Sequence, residues 1–144
     1  MTSTSHRLLV LWIARLMSRD GLRVTCFDGP ADQGGIFNEL PAPFAARGQK
    51  PDVWAIDVSG GLAAAGEAKT SQDIGNVHTI AQFQAFARIP GANGQGYCPL
   101  YIAVPRSGVI QLDRVLSLAG LAGSKNIRRL HVPDVLLDAN AYHS

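Results

Sequence analysis

The sequence predicts a mixed α/β sandwich, a central sheet with helices packed on it. Two observations carry that expectation. The spacing of apolar residues alternates along the chain between helical and strand periods, in the order helix, strand, strand, strand, helix, strand, helix, strand. A short, wholly apolar run at residues 99–104 (PLYIAV) lies between prolines, the mark of a strand covered on both faces.

Element by element, residues 5–19 carry Leu8, Leu9, Leu11, Trp12, Ala14, Leu16 and Met17 at mixed spacings of three and four, an amphipathic helix stopped by Asp20-Gly21. Residues 22–27 (LRVTCF) alternate and include Val, Thr and Phe, which favours a strand. Residues 28–50 are rich in Gly, Pro and Ala and read as a long loop, a length that usually signals function or mobility. Strands are expected over 52–58 and 62–70, joined as a hairpin by Ser59-Gly60-Gly61. A helix follows over 74–89, with Ile80, Phe83 and Ala87 inward, then a glycine-rich loop over 91–96. Beyond the apolar strand, a helix over 107–122 turns Val109, Leu112, Val115, Leu116 and Leu118 inward, and a last strand spans 126–132. No internal repeat or heptad interrupts this single-domain pattern.

Composition narrows the function. A chain of 144 residues, 47% hydrophobic and 17% charged, can bury one core without disulfides or metal staples. The net charge of +2 permits contact with phosphate but is far from polybasic. Cys26 and Cys98 each lie in an apolar run, with none of the spacings of zinc or redox sites, and read as buried thiols in a reducing compartment. The apolar stretch at 8–13 is too short and too broken by Arg15 for a signal peptide or a membrane span, so a cytoplasmic protein with no membrane association is expected.

The hairpin holds the chemistry. Folding 52–58 back on 62–70 sets Asp52 opposite Glu67, while the pleat turns Glu67 and Lys69 to one face and Ala68 to the other. Two carboxylates and the Ala68 carbonyl can hold Mg²⁺ and leave positions for water and a phosphate oxygen. Lys69 can then orient or deprotonate water, or neutralise charge on the transition state.

Pro51-Asp52, then fourteen residues, then Glu67-Ala68-Lys69 resembles the PD-(D/E)xK signature of restriction-type endonucleases, Holliday-junction resolvases and related exonucleases. The expected order of elements over residues 3–105 is similar to that superfamily's αβββαβ core, with a helix and a strand appended. The resemblance implies a Mg²⁺-dependent deoxyribonuclease, with Mn²⁺ as a substitute, acting on DNA in repair, recombination or defence. It implies Asp52 and Glu67 as metal ligands and Lys69 as base or charge stabiliser. Gln82, on the helix where such nucleases place a glutamine or a basic residue, is a fourth candidate, and Gln84 lies beside it. In many relatives the first helix supplies a further glutamate for a second metal; residues 5–19 contain no acid, and Glu39 in the long loop is the other glutamate available.

Thr70, Ser71 and His78 are candidate phosphate contacts, and Asp57 reads as a turn residue. Arg47, Lys50, Arg88, Arg106, Lys125, Arg128 and Arg129 are available to a nucleic-acid backbone. No appended reader of base sequence is recognisable, which points to structure-directed or end-directed cutting of DNA; nothing distinguishes RNA. The family implies a homodimer or a subunit of a larger complex. The alternative is a catalytically silent nuclease fold that binds DNA or a protein.

Overall fold

Ser3 accepts a hydrogen bond from the backbone N–H of His6 at 3.1 Å and so caps the first helix, α1 (Thr4–Arg19). Gly21, at φ +86°, ends it: Leu22 N–H bonds to Met17 O and Gly21 N–H to Ser18 O, a Schellman motif that needs a residue free to enter the left-handed region. The computed structural model describes residues 3–27, 50–56, 62–91 and 96–138. Glu39, Arg47, Asp57, the hairpin turn and most of the long loop fall outside the described residues.

The remaining elements are β1 (Arg23–Phe27), β2 (Val53–Ile56), β3 (Leu62–Ala68), α2 (Thr79–Ala87), β4 (Leu100–Pro105), α3 (Val109–Leu118) and β5 (Ile127–Val132). They form a five-stranded mixed sheet in the order β1-β2-β3-β4-β5, antiparallel from β1 to β3 and parallel from β3 to β5. The coarse expectation of an α/β fold with a mixed sheet between helices therefore holds.

The sheet is covered on both faces. On one, Leu9, Val10, Ile13 and Met17 of α1 pack on Val53, Ala55, Ala64, Ala68 and Ala103. On the other, Phe83 and Phe86 of α2 and Leu112 and Leu116 of α3 pack on Trp54, Ala65, Leu100, Ile102 and Val104. Every residue of β4 is buried, as its apolar run requires. The small residues of β3 let α1 approach closely: a Cβ on Gly66 would lie 2.7 Å from Ile13 Cγ2 and 3.3 Å from Val53 Cβ.

Several boundaries differ from expectation. α2 starts at Thr79 rather than 74, because the preceding residues satisfy their polar groups locally. Thr70 Oγ1 donates to Asp73 Oδ2 at 2.9 Å, Asp73 and Ile74 N–H return to Thr70 O, and His78 N–H donates to Asn76 Oδ1 at 2.9 Å. α3 is shorter than the expected 107–122: it is entered through a 3₁₀ turn, Arg106–Gly108, and ends at Leu118 in a second Schellman motif around Gly120 at φ +75°. A 3₁₀ turn at Asp134–Leu137 follows β5 and has no periodic signal to announce it. Asp52 and Lys69, expected inside strands, lie just beyond the ends of β2 and β3.

Cys98 is buried, with its thiol directed to Leu62 O at 3.2 Å and Pro90 O at 3.4 Å. The Cys26 side chain lies outside the described residues. No described helix is long and apolar enough to cross a membrane.

Candidate active site

The antiparallel register pairs Val53 with Gly66, which sets the two residues that extend it, Asp52 and Glu67, side by side at the end of the hairpin. Asp52 Oδ2 accepts the Ala68 N–H at 2.9 Å, so the carboxylate is anchored on the partner strand. Glu67 is 2% exposed. It shares a face of β3 with Ala65, a residue of the α2 and α3 core, whereas Ala64 and Ala68 belong to the core under α1.

Two carboxyl groups this close cannot both ionise cheaply. Burial, then the hydrogen bond to Asp52 and that neighbour's negative charge, push the Glu67 carboxyl well above the usual range; Lys69 offsets part of this. Burial also works to raise Asp52, but hydrogen bonds from Glu67, His6 and the Ala68 amide, with the His6 charge, outweigh it and hold Asp52 below its usual value. Of the two, Asp52 is therefore the stronger acid and Glu67 the one that holds a proton more tightly.

Two cationic or polar groups flank the pair from opposite faces of the sheet. His6, in the first turn of α1, places Nε2 3.1 Å from Asp52 Oδ2, with the two side chains 16% and 18% exposed. Lys69 Nζ donates to Gln82 Oε1 of α2 at 2.5 Å, and its backbone N–H continues the ladder to Ala103 O at 3.0 Å. Asp52, Glu67, Ala68, Lys69 and Gln82 are thus brought together from segments distant in sequence. His6 is the member that sequence reading missed. The first helix holds no acid, and a histidine three residues after the N-cap occupies the place from which that helix reaches Asp52.

Other candidates have different partners. Gln84 Nε2 donates to Ala119 O at 3.1 Å and ties α2 to the end of α3, away from Lys69. Thr70 is bonded to Asp73, Ser71 Oγ lies 3.2 Å from Ser107 Oγ, and His78 is exposed ahead of α2. Lys50 sits over the Trp54 ring at 5.4 Å. Arg129 pairs with Asp113 at 2.7 Å and donates to His131, while Arg128 donates to Lys125 O. Arg88, Arg106 and Lys125 are exposed.

Does this donor set suit a divalent cation? Among the described residues, no three His, Cys, Asp or Glu side chains form a cage. Mg²⁺ does not need one: it is held by one or two carboxylates and keeps several waters or phosphate oxygens. A buried acid and carboxylate sharing a proton is a pair of hard oxygen donors whose charge a cation can balance in the proton's place. The residues fit.

No family model, curated protein or solved structure matches the chain.

Proposed function

We propose that the chain is a Mg²⁺-dependent nuclease with a restriction-endonuclease-like αβββαβ core, hydrolysing phosphodiester bonds in DNA. The observation that supports it most is the buried Asp52 and Glu67 pair beside a lysine whose ammonium is held by Gln82. A domain with only a structural task has no use for two carboxyls buried together.

In this reading Asp52 and Glu67, with the Ala68 carbonyl, hold the cation, and Mn²⁺ substitutes for it. Bound there, the cation supplies Lewis-acid activation of water and of a phosphate oxygen. The protein's own groups do the rest. The Ala68 N–H and His6 fix the orientation of the Asp52 carboxylate, so its ligating oxygens need no reorganisation when substrate arrives. Gln82 holds Lys69 on the Glu67 face, where its charge meets the negative charge that builds up on phosphate in the transition state.

The test is cleavage of labelled linear, branched and single-stranded DNA with Mg²⁺ or Mn²⁺, with matched RNA beside them. Lys69→Ala is expected to abolish cutting while Mg²⁺ affinity, read by calorimetry, stays near wild type; Asp52→Asn is expected to weaken that affinity. Absence of metal-dependent cutting by the wild type refutes the proposal and favours a binding role within an assembly. Hydrolysis of RNA alone refutes the choice of DNA.

A further inference from the structure

A second lysine stands on the Glu67 face of the hairpin. Lys50 lies two residues before Asp52 and is exposed, and its ammonium sits over the Trp54 ring, 5.4 Å from the centroid. Trp54 is 1% exposed, belongs to the α2 and α3 layer and pairs with Ala65 across the hairpin. Side chains two apart along a strand point to one face at a spacing of about 7 Å. Ala65 and Glu67 therefore share that face, and Trp54 marks it on β2. The ring holds the Lys50 charge next to the row that the acidic pair occupies, on the side where Gln82 holds Lys69.

The partners of the two lysines are alike in one respect: neither carries a charge. An aromatic face orients an ammonium without cancelling it, and the amide oxygen of Gln82 does the same for Lys69. Among the described residues the ion pairs are His6 with Asp52 and Arg129 with Asp113, and neither lysine enters one. A lysine that only solubilises the surface has no need of such a platform, since fixing its flexible stem costs rotamer entropy. Two positioned ammonium groups, one at the entry to β2 and one at the exit from β3, suit an anion whose charges repeat along a chain. A polynucleotide backbone has that form, and lysine meets phosphate as a point charge.

We propose that Lys50 binds the phosphate next to the scissile one, with Trp54 as the residue that positions it. This rests on the nuclease reading and deepens it, giving the substrate backbone a second contact on the β2 side of the acids. Lys69 serves the reacting phosphate, and Lys50 anchors the strand that carries it.

The salt dependence of DNA binding tests this. Affinity for a fluorescent duplex deoxyoligonucleotide is measured against KCl at fixed Ca²⁺, which replaces Mg²⁺ to suppress cutting. One phosphate contact contributes about 0.9 to the slope of log affinity against log salt, or about eightfold in affinity between about 1 M and 0.1 M. Lys50→Met keeps an apolar stem on Trp54 but no charge. It is expected to lower the slope by about one and to weaken binding about eightfold at about 0.1 M salt. Lys50→Arg, whose cation also stacks on an aromatic ring, keeps the wild-type slope. Arg19→Met removes an equal charge about 20 Å along α1 from His6 and leaves the slope unchanged. Should Lys50→Met fail to fold, Lys50→Gln is read by the same criteria. An unchanged slope in the neutral Lys50 variant, an equal loss in Arg19→Met, or no binding of the duplex by the wild type overturns the proposal. Cutting is read separately with Mg²⁺. A wild type that binds through Lys50 but does not cut refutes the nuclease reading alone, and cutting with a slope indifferent to Lys50 refutes the phosphate contact alone.

Discussion

Replacing Glu67 by Gln removes the titrating proton of the buried pair but keeps a donor to Asp52, because the amide N–H can take the place of the acid O–H. The Glu67 carboxyl titrates well above its usual value of 4.5 in the folded chain, chiefly through burial and then through Asp52. The native state therefore holds a proton that the unfolded chain has lost. The stability this confers is complete below about pH 4.5 and is lost as pH rises through the raised value, at about 1.4 kcal/mol per pH unit. For a chain of 144 residues that slope is about 5 °C in melting temperature per pH unit. Asp52 has the opposite sign: held below 3.8, it contributes stability above that value and loses it only as pH falls further. The two windows do not overlap. Thermal unfolding of metal-free wild type and Glu67→Gln between about pH 5 and pH 8 should give curves that diverge, the variant gaining on the wild type with each unit until Glu67 ionises. Mg²⁺ should restore the wild type at the alkaline end and do little for the variant, which lacks the ionisable oxygen. Parallel curves would refute the shared proton and with it the main support for a cation at this site.

Three other substitutions probe what holds the site in place. Gly66→Ala puts a Cβ against Ile13, Met17 and Val53, and should cost about 1–3 kcal/mol in urea unfolding by forcing α1 off β3. Tyr101→Phe removes the 2.7 Å bond from the phenol to Asp20 Oδ2, which ties β4 to the end of α1, and should cost about 1 kcal/mol by the same measurement. His6→Ala leaves Asp52 with the Ala68 amide and Glu67 alone; because the pair is partly exposed, the loss should be about 1 kcal/mol in stability, with a larger drop in metal-dependent cutting if His6 orients the carboxylate.

Much of the fold was legible because its signals are local. The strand β4 is recognisable from an apolar run between prolines, and β3 from a small-residue strand whose alternation sets Glu67 and Lys69 on one face. The helix boundaries were less so. Residues 70–78 contain Ile74 and Val77 at spacings that suit a helix, yet Asp73 and Asn76 offer the backbone better local partners, and Ile74 enters the core from a turn. At the site, Asp52, Glu67 and Lys69 could be read because one hairpin brings them together. Gln82 could be placed only on a helix edge until the tertiary structure brought it to Lys69. The link from His6 to Asp52 spans 46 positions and depends on where α1 lies across the sheet, which no local pattern encodes.

The same placement explains why this end of the sheet can hold two acids without losing the fold. At the carboxyl end of β3 the sheet changes from antiparallel pairing with β2 to parallel pairing with β4, so the start of β2 and the ends of β3 and β4 all meet one edge. The crossovers through α2 and α3 leave from that edge, and α1 begins there. Polar groups from three elements can therefore surround the carboxyls without any of them passing through the core. His6 approaches Asp52 from the α1 face, and Lys69 sits with Gln82 on the α2 face. On the proposed function, a divalent cation held between the acids would leave His6 with Asp52 and Lys69 with Gln82 on either side. The fold thus places the two carboxyls and the groups that flank them on one rim, and the two hydrophobic layers that stabilise the chain lie behind it.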